Sequence, residues 1–174
     1  FRQLTDNLIG ERENRNQSDK ADLDAALLAV NWKRRRRAER DFLFFLKEYG
    51  TSDDPTHGAF LEFAPAKEMY PIIRDIEQAI GDASIPYHIR IARGIGKTAY
   101  MKGAALWVTV TGQRHYVVTV GANDDNASNI NENIFTNITQ NPKFIQDFPE
   151  VSLPFLKLGG AYQRAKTQSR GSVA

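Results

Sequence analysis

Residues 90–100 read RIARGIGKTAY, and within them Gly96-Lys97-Thr98 forms the second half of a phosphate-binding loop. That chemistry needs backbone N–H groups turned around a phosphate, a lysine reaching the outer phosphates and a hydroxyl on magnesium. Glycines let the backbone come close. The usual spacing is G-x-x-x-x-G-K-[ST], and Ile91 stands where the first glycine would be. A Gly-Lys-Thr tripeptide is also an ordinary surface turn, so the flanks decide between the two readings. A binding loop needs a strand leading in and a helix leading out, whose N-terminus adds a favourable field for an anion.

The pattern supplies both flanks. YHIRIA, from Tyr87 to Ala92, alternates apolar and polar residues and predicts a strand, although His88 and Arg90 interrupt what should be a buried central one. Lys97 to Thr111 has helical spacing, closed by Gly112. HYVVTVGA is a nearly continuous β-branched run of the kind that lies inside a parallel sheet. Asn123 or Asp124 then caps a helix striped by Ala127, Ile130, Ile134 and Ile138, and Asn141-Pro142 ends it.

Upstream, Met69 to Ile80 predicts a helix through Ile72, Ile73, Ile76 and Ile80, with Pro71 in the first turn and Gly81 as the stop. Strand alternating with helix predicts an α/β fold, a P-loop NTPase-like parallel sheet flanked by helices. Ser18 to about Tyr49 predicts one long helix, or two joined near the basic run, as an N-terminal helical arm over residues 1–50. Residues 51–174 would be the ATPase domain.

Composition bounds the alternatives. A chain of 174 residues, 41% hydrophobic, accommodates one domain with a core, or a domain and an arm. Without cysteine there is no disulfide framework, thiolate zinc site or cysteine nucleophile. His57, His88 and His115 lie far apart, with no carboxylate at ligand spacing. No apolar run approaches the roughly 18 residues of a membrane span, so a cytoplasmic chain with no membrane partner is expected. The net charge of +2 hides a local concentration: Lys33, Arg34, Arg35, Arg36 and Arg37 are consecutive, with Arg40 close behind. Such a run grips nucleic-acid phosphates or forms a solvated helix face. Trp32 and Trp107 sit on predicted helices as core residues. Seven asparagines fall between Asn123 and Asn141, and most should lie on one exposed helix face.

At this point the sequence resembles the ATPase domain of phage terminase large subunits, the motors that pump DNA into procapsids. The resemblance rests on Arg93-Gly94-Ile95-Gly96-Lys97-Thr98, Ala104-Ala105-Leu106-Trp107, Gly112-Gln113-Arg114-His115-Tyr116 and the later DFPEV, Asp147 to Val151. It covers about Arg40 to Gln168, with Ala92 in place of the family's usual proline. It implies that Arg93, Gly94, Ile95, Gly96, Lys97 and Thr98 bind ATP. Lys97 would contact the β- and γ-phosphates, Thr98 would ligate magnesium, and Arg93 would act with Lys97 in catalysis by sensing the γ-phosphate charge.

The implied partners are double-stranded DNA, the portal protein and the small terminase subunit, with homo-oligomerisation, in a bacterial host cytoplasm. Neither the second carboxylate motif nor the nuclease domain is found after Thr98. Hydrolysis is therefore expected of a complete protein and not of this chain alone. A helicase-like or defence-related P-loop ATPase is the alternative within the same chemistry. A non-catalytic module that binds nucleic acid or a partner through its basic arm, with a vestigial loop, is the alternative outside it.

Overall fold

The computed structural model describes residues 16–51, 59–82, 88–90, 92, 94–114, 117–121 and 123–158. Its elements are α1 over 16–28, α2 (Trp32–Arg40), α3 (Phe42–Tyr49), α4 (Tyr70–Gly81), α5 (Lys97–Val110), α6 (Asp124–Gln140), α7 (Pro142–Asp147) and α8 (Pro149–Leu158). A 3-10 turn, Lys67–Met69, leads into α4.

Polar caps cut the chain into these pieces. The Asn31 side chain accepts from Arg34 N to start α2, and the Asp41 side chain accepts from Phe44 N to start α3. The expected single or double helix over Ser18 to Tyr49 is therefore three helices. The first is already helical at residue 16, two residues before the expected start at Ser18. The helices expected around 69–80, 97–111 and 124–140 are present, with Pro71 in the first turn of α4 and Asn123 capping α6 through Asn126 N. Asn141 separates α6 from α7, its side chain accepting from Lys143 N and Phe144 N.

The short, almost wholly apolar α3 is the centre of the core. Phe42, Phe45, Leu46 and Tyr49 are fully buried, and each such side chain contributes about 1.5–3 kcal/mol on leaving water. Phe42 packs on Trp107 of α5 with ring centroids 5.2 Å apart. Tyr49 meets Phe144 and Phe148 edge-on at 5.9 and 5.5 Å. Ile73 and Ile76 of α4 close the cluster. Trp107 Nε1 donates to the Ala38 carbonyl at 2.8 Å, tying α2 to α5. Trp107 is thus a core residue, whereas Trp32 is 46% exposed and corrects the expectation for it.

The expected parallel sheet is absent: the described residues contain no strand, only one isolated parallel bridge between Thr51 and Leu61, and the architecture is mostly helical. The described parts of the two predicted strands, 88–90 and 117–121, form no strand with other described residues. Val118 is 64% and Val120 86% exposed. β-branched composition specifies a strand only where neighbours supply backbone partners and a face to pack on. Two segments on their own make a marginal ladder, and a parallel one is weaker still. Helix-on-helix packing through α3 supplies the burial instead. Tyr87, Ile91, His115, Tyr116 and Ala122 lie outside the described residues. No described helix is long and apolar enough to cross a membrane.

Candidate functional site

The glycine loop leads directly into α5. Gly94 and Gly96 both have φ of +85°, the left-handed region that glycine occupies without steric cost. Gly96 is the N-cap of α5 and offers no side chain to the first turn, while its carbonyl accepts from Tyr100 N at 3.0 Å. The start of the helix is therefore left to backbone N–H groups that a bound anion can use. A Cβ at position 96 would stand in ordinary van der Waals contact with Leu61 and Tyr100, 3.4 and 3.5 Å away, so the glycine is required there by its positive φ and not by space.

Lys97 and Thr98 follow on the first turn of α5. The Lys97 ammonium donates to the Ala92 carbonyl at 2.9 Å, so it is folded back across the loop. Thr98 is exposed. Both residues line a groove of about 810 Å³ between α4, α5, α6 and residues 88–89 and 117–119. Most of its wall is apolar, with Ile76 and Ile80 from α4, Met101 and Val108 from α5, and Ile130 from α6. Its charged residues are Lys97 and Arg114, both cationic, with His88 beside them. The Arg114 guanidinium donates to the Ile80 carbonyl at 2.7 Å. That contact puts a positive charge at the C-terminal end of α4, where the helix dipole favours it.

Of the expected binding residues, Gly94, Ile95, Gly96, Lys97 and Thr98 are therefore together at one helix start, with Ile95 37% exposed. Arg93, expected in both binding and catalysis, lies outside the described residues. Among the described residues no group of three or more His, Cys, Asp or Glu side chains could hold a metal ion.

The basic run of α2 does not act as one surface. Arg34 and Arg35 turn inward. Arg34 makes a two-pronged ion pair with the buried Asp147 and donates from Nη2 to Gln146 Oε1 at 2.9 Å. Arg35 bonds Glu39 at 2.8 Å and Glu150 at 2.6 Å, with its guanidinium 4.9 Å from the Phe148 ring centre. Hydrogen bonds to Asp147 raise the Arg34 pKa; those to Glu39 and Glu150 raise that of Arg35 against the opposing effect of burial. Lys33, Arg36, Arg37 and Arg40 are exposed.

Sequence reasoning passed over a buried polar network around Tyr49. Its hydroxyl donates to Asp147, and its carbonyl accepts from Asn137 Nδ2 at 2.8 Å and Asn141 Nδ2 at 3.0 Å. Asn137, Asn141 and Asp147 are all buried, whereas Asn123, Asn126, Asn129 and Asn131 are exposed, so most of the seven asparagines face solvent and these two are the exceptions. No spacing in the sequence announces the network, because its members lie 88 to 98 residues from Tyr49. No family model, no curated protein and no solved structure matches the chain.

Proposed function

We propose that residues 94–98 bind the phosphates of a nucleotide, and that this nucleotide is ATP carried with magnesium. The observation that carries the reading is the pair of left-handed glycines, Gly94 and Gly96, set directly before α5 with Lys97 and Thr98 facing one groove. In this reading the amides of the first helical turn hold phosphate oxygens, the Lys97 ammonium leaves the Ala92 carbonyl for the outer phosphates, and the Thr98 hydroxyl meets the metal. Magnesium supplies charge neutralisation between the phosphates when bound.

The resemblance of residues 93–98, 104–107 and 112–116 to phage terminase large subunits supports ATP over other anions. It extends the proposal to the nucleotide-binding part of a DNA-packaging motor, with double-stranded DNA, a portal protein and a small subunit as partners of the complete protein. Binding is the activity proposed for this chain, because the described wall of the groove supplies cations and hydroxyls and no carboxylate.

Titration with a fluorescent ATP analogue, with and without magnesium, tests the reading. Saturable binding that magnesium tightens, weakened at least tenfold in Lys97→Ala, is the expected result. Equal affinity of the variant and the parent chain would overturn it, since the ammonium is the chain's main counter-charge at the phosphates.

A further inference from the structure

The outward residues of α2 form a surface of their own. At 3.6 residues per turn, Lys33, Arg36, Arg37 and Arg40 fall within an arc of about 100°. Arg34, Arg35 and Ala38 point the other way, into the contacts with α5, α7 and α8. Among the described residues, the two acids nearest the stripe in sequence, Glu39 and Asp41, are engaged elsewhere. Glu39 is held by Arg35 at 2.8 Å, and Asp41 pairs with Arg74 at 3.1 Å while capping α3. The stripe is also fixed in place: the ion pairs of Arg34 and Arg35 pin the inner face of the helix, and Arg37 lies 4.2 Å from the Phe44 ring centre.

We propose that this stripe of Lys33, Arg36, Arg37 and Arg40 is a docking surface for the phosphodiester backbone of a nucleic acid. Lys33 to Arg40 spans about 10 Å along the helix axis at 1.5 Å per residue. A duplex presents one phosphate per about 1.7 Å of its own axis, so about six phosphates lie within that reach. Arginine, which supplies three of the four cations, matches phosphate oxygens with paired N–H donors. A lipid surface is the poorer fit. A membrane-lying helix buries its apolar face in the bilayer, whereas the inner face of α2 is spent on the core through Ala38. The inference is independent of the nucleotide loop, which lies on α5, and it removes Arg34 and Arg35 from the contact set while adding Arg40.

Fluorescence anisotropy of a labelled 20-base-pair duplex, titrated between 50 and 200 mM salt, tests the surface. Four phosphate contacts give a log-log salt slope near −3.6, at about −0.9 per contact, and an affinity loss of about 150-fold across that range. Lys33→Gln/Arg36→Gln/Arg40→Gln should reduce the slope to near −0.9 and the loss to about fourfold. A variant of equal charge change elsewhere, Lys20→Gln/Lys67→Gln/Lys143→Gln, should keep the parent slope, as should the charge-retaining Arg36→Lys/Arg40→Lys. An unfolding midpoint matching the parent's establishes that each variant is folded. Equal losses in the two triple variants would overturn the proposal in favour of diffuse attraction. Binding to phosphatidylserine vesicles without binding to the duplex would overturn it in favour of a membrane, and no duplex binding at 50 mM salt would overturn it outright.

Discussion

The Tyr49 hydroxyl donates to Asp147 Oδ2 at 2.6 Å, joining the last residue of α3 to the last residue of α7. The same carboxylate accepts from Asn31 N at 3.1 Å and from both prongs of Arg34, so one buried acid closes three helix ends. Its charge is tolerable in the core because each oxygen has donors. Removing the acid leaves the donors without it. Asp147→Ala should cost about 3 kcal/mol. Tyr49→Phe, which removes one donor and keeps the ring, should cost about 1–2 kcal/mol. Urea unfolding measures both. A midpoint for Asp147→Ala within error of the parent would show that the network contributes nothing.

Burial, reinforced by the Asp147 carboxylate, raises the Tyr49 pKa well above the usual tyrosine range. A raised acid holds its proton more tightly in the folded chain than in the unfolded one. Its contribution is therefore complete below the ordinary tyrosine pKa near 10 and is lost as pH rises above that value. Melting temperature should fall as pH is raised from 9 toward 11.5, and Tyr49→Phe should flatten that fall. Tyr100, whose pKa burial also raises, accounts for part of the slope that remains. Parallel curves for the parent and Tyr49→Phe would contradict this assignment.

Positions 94 and 96 separate backbone geometry from packing. Gly94→Ala meets open space, so its cost is the left-handed conformation alone, about 1–2 kcal/mol. Gly96→Ala has the same backbone cost and adds contact with Leu61 and Tyr100. Both should weaken the fluorescent ATP analogue about tenfold or more while leaving the helical circular dichroism intact. Analogue affinity unchanged in both would mean that the amides of this turn do not meet the ligand.

Local signals in the sequence were legible where capping and spacing decide the structure. Gly96 before α5, Pro71 in α4 and Asn123 before α6 each specify a helix start through their own backbone or side-chain chemistry, without a distant partner. The glycine loop was legible for the same reason. The sheet was misread because Val117, Val118 and Val120 have strand composition but no backbone partners among the described residues, and composition cannot supply those. The basic run was half legible. Its charge is plain in the sequence, but the division between Arg34 and Arg35 on one side and Lys33, Arg36, Arg37 and Arg40 on the other depends on where Asp147 and Glu150 arrive in space.

Asn137 and Asn141 close the carbonyl of Tyr49 from nearly a hundred positions downstream. A chain made on the ribosome emerges N-terminus first, at about 5–20 residues per second. The apolar α3 is therefore out for several seconds before the amides that cover its end exist. Through that interval Phe42, Phe45 and Leu46 present an unfinished greasy helix to solvent, so chaperone occupancy of the nascent chain should peak there and decline once α7 clears the exit tunnel.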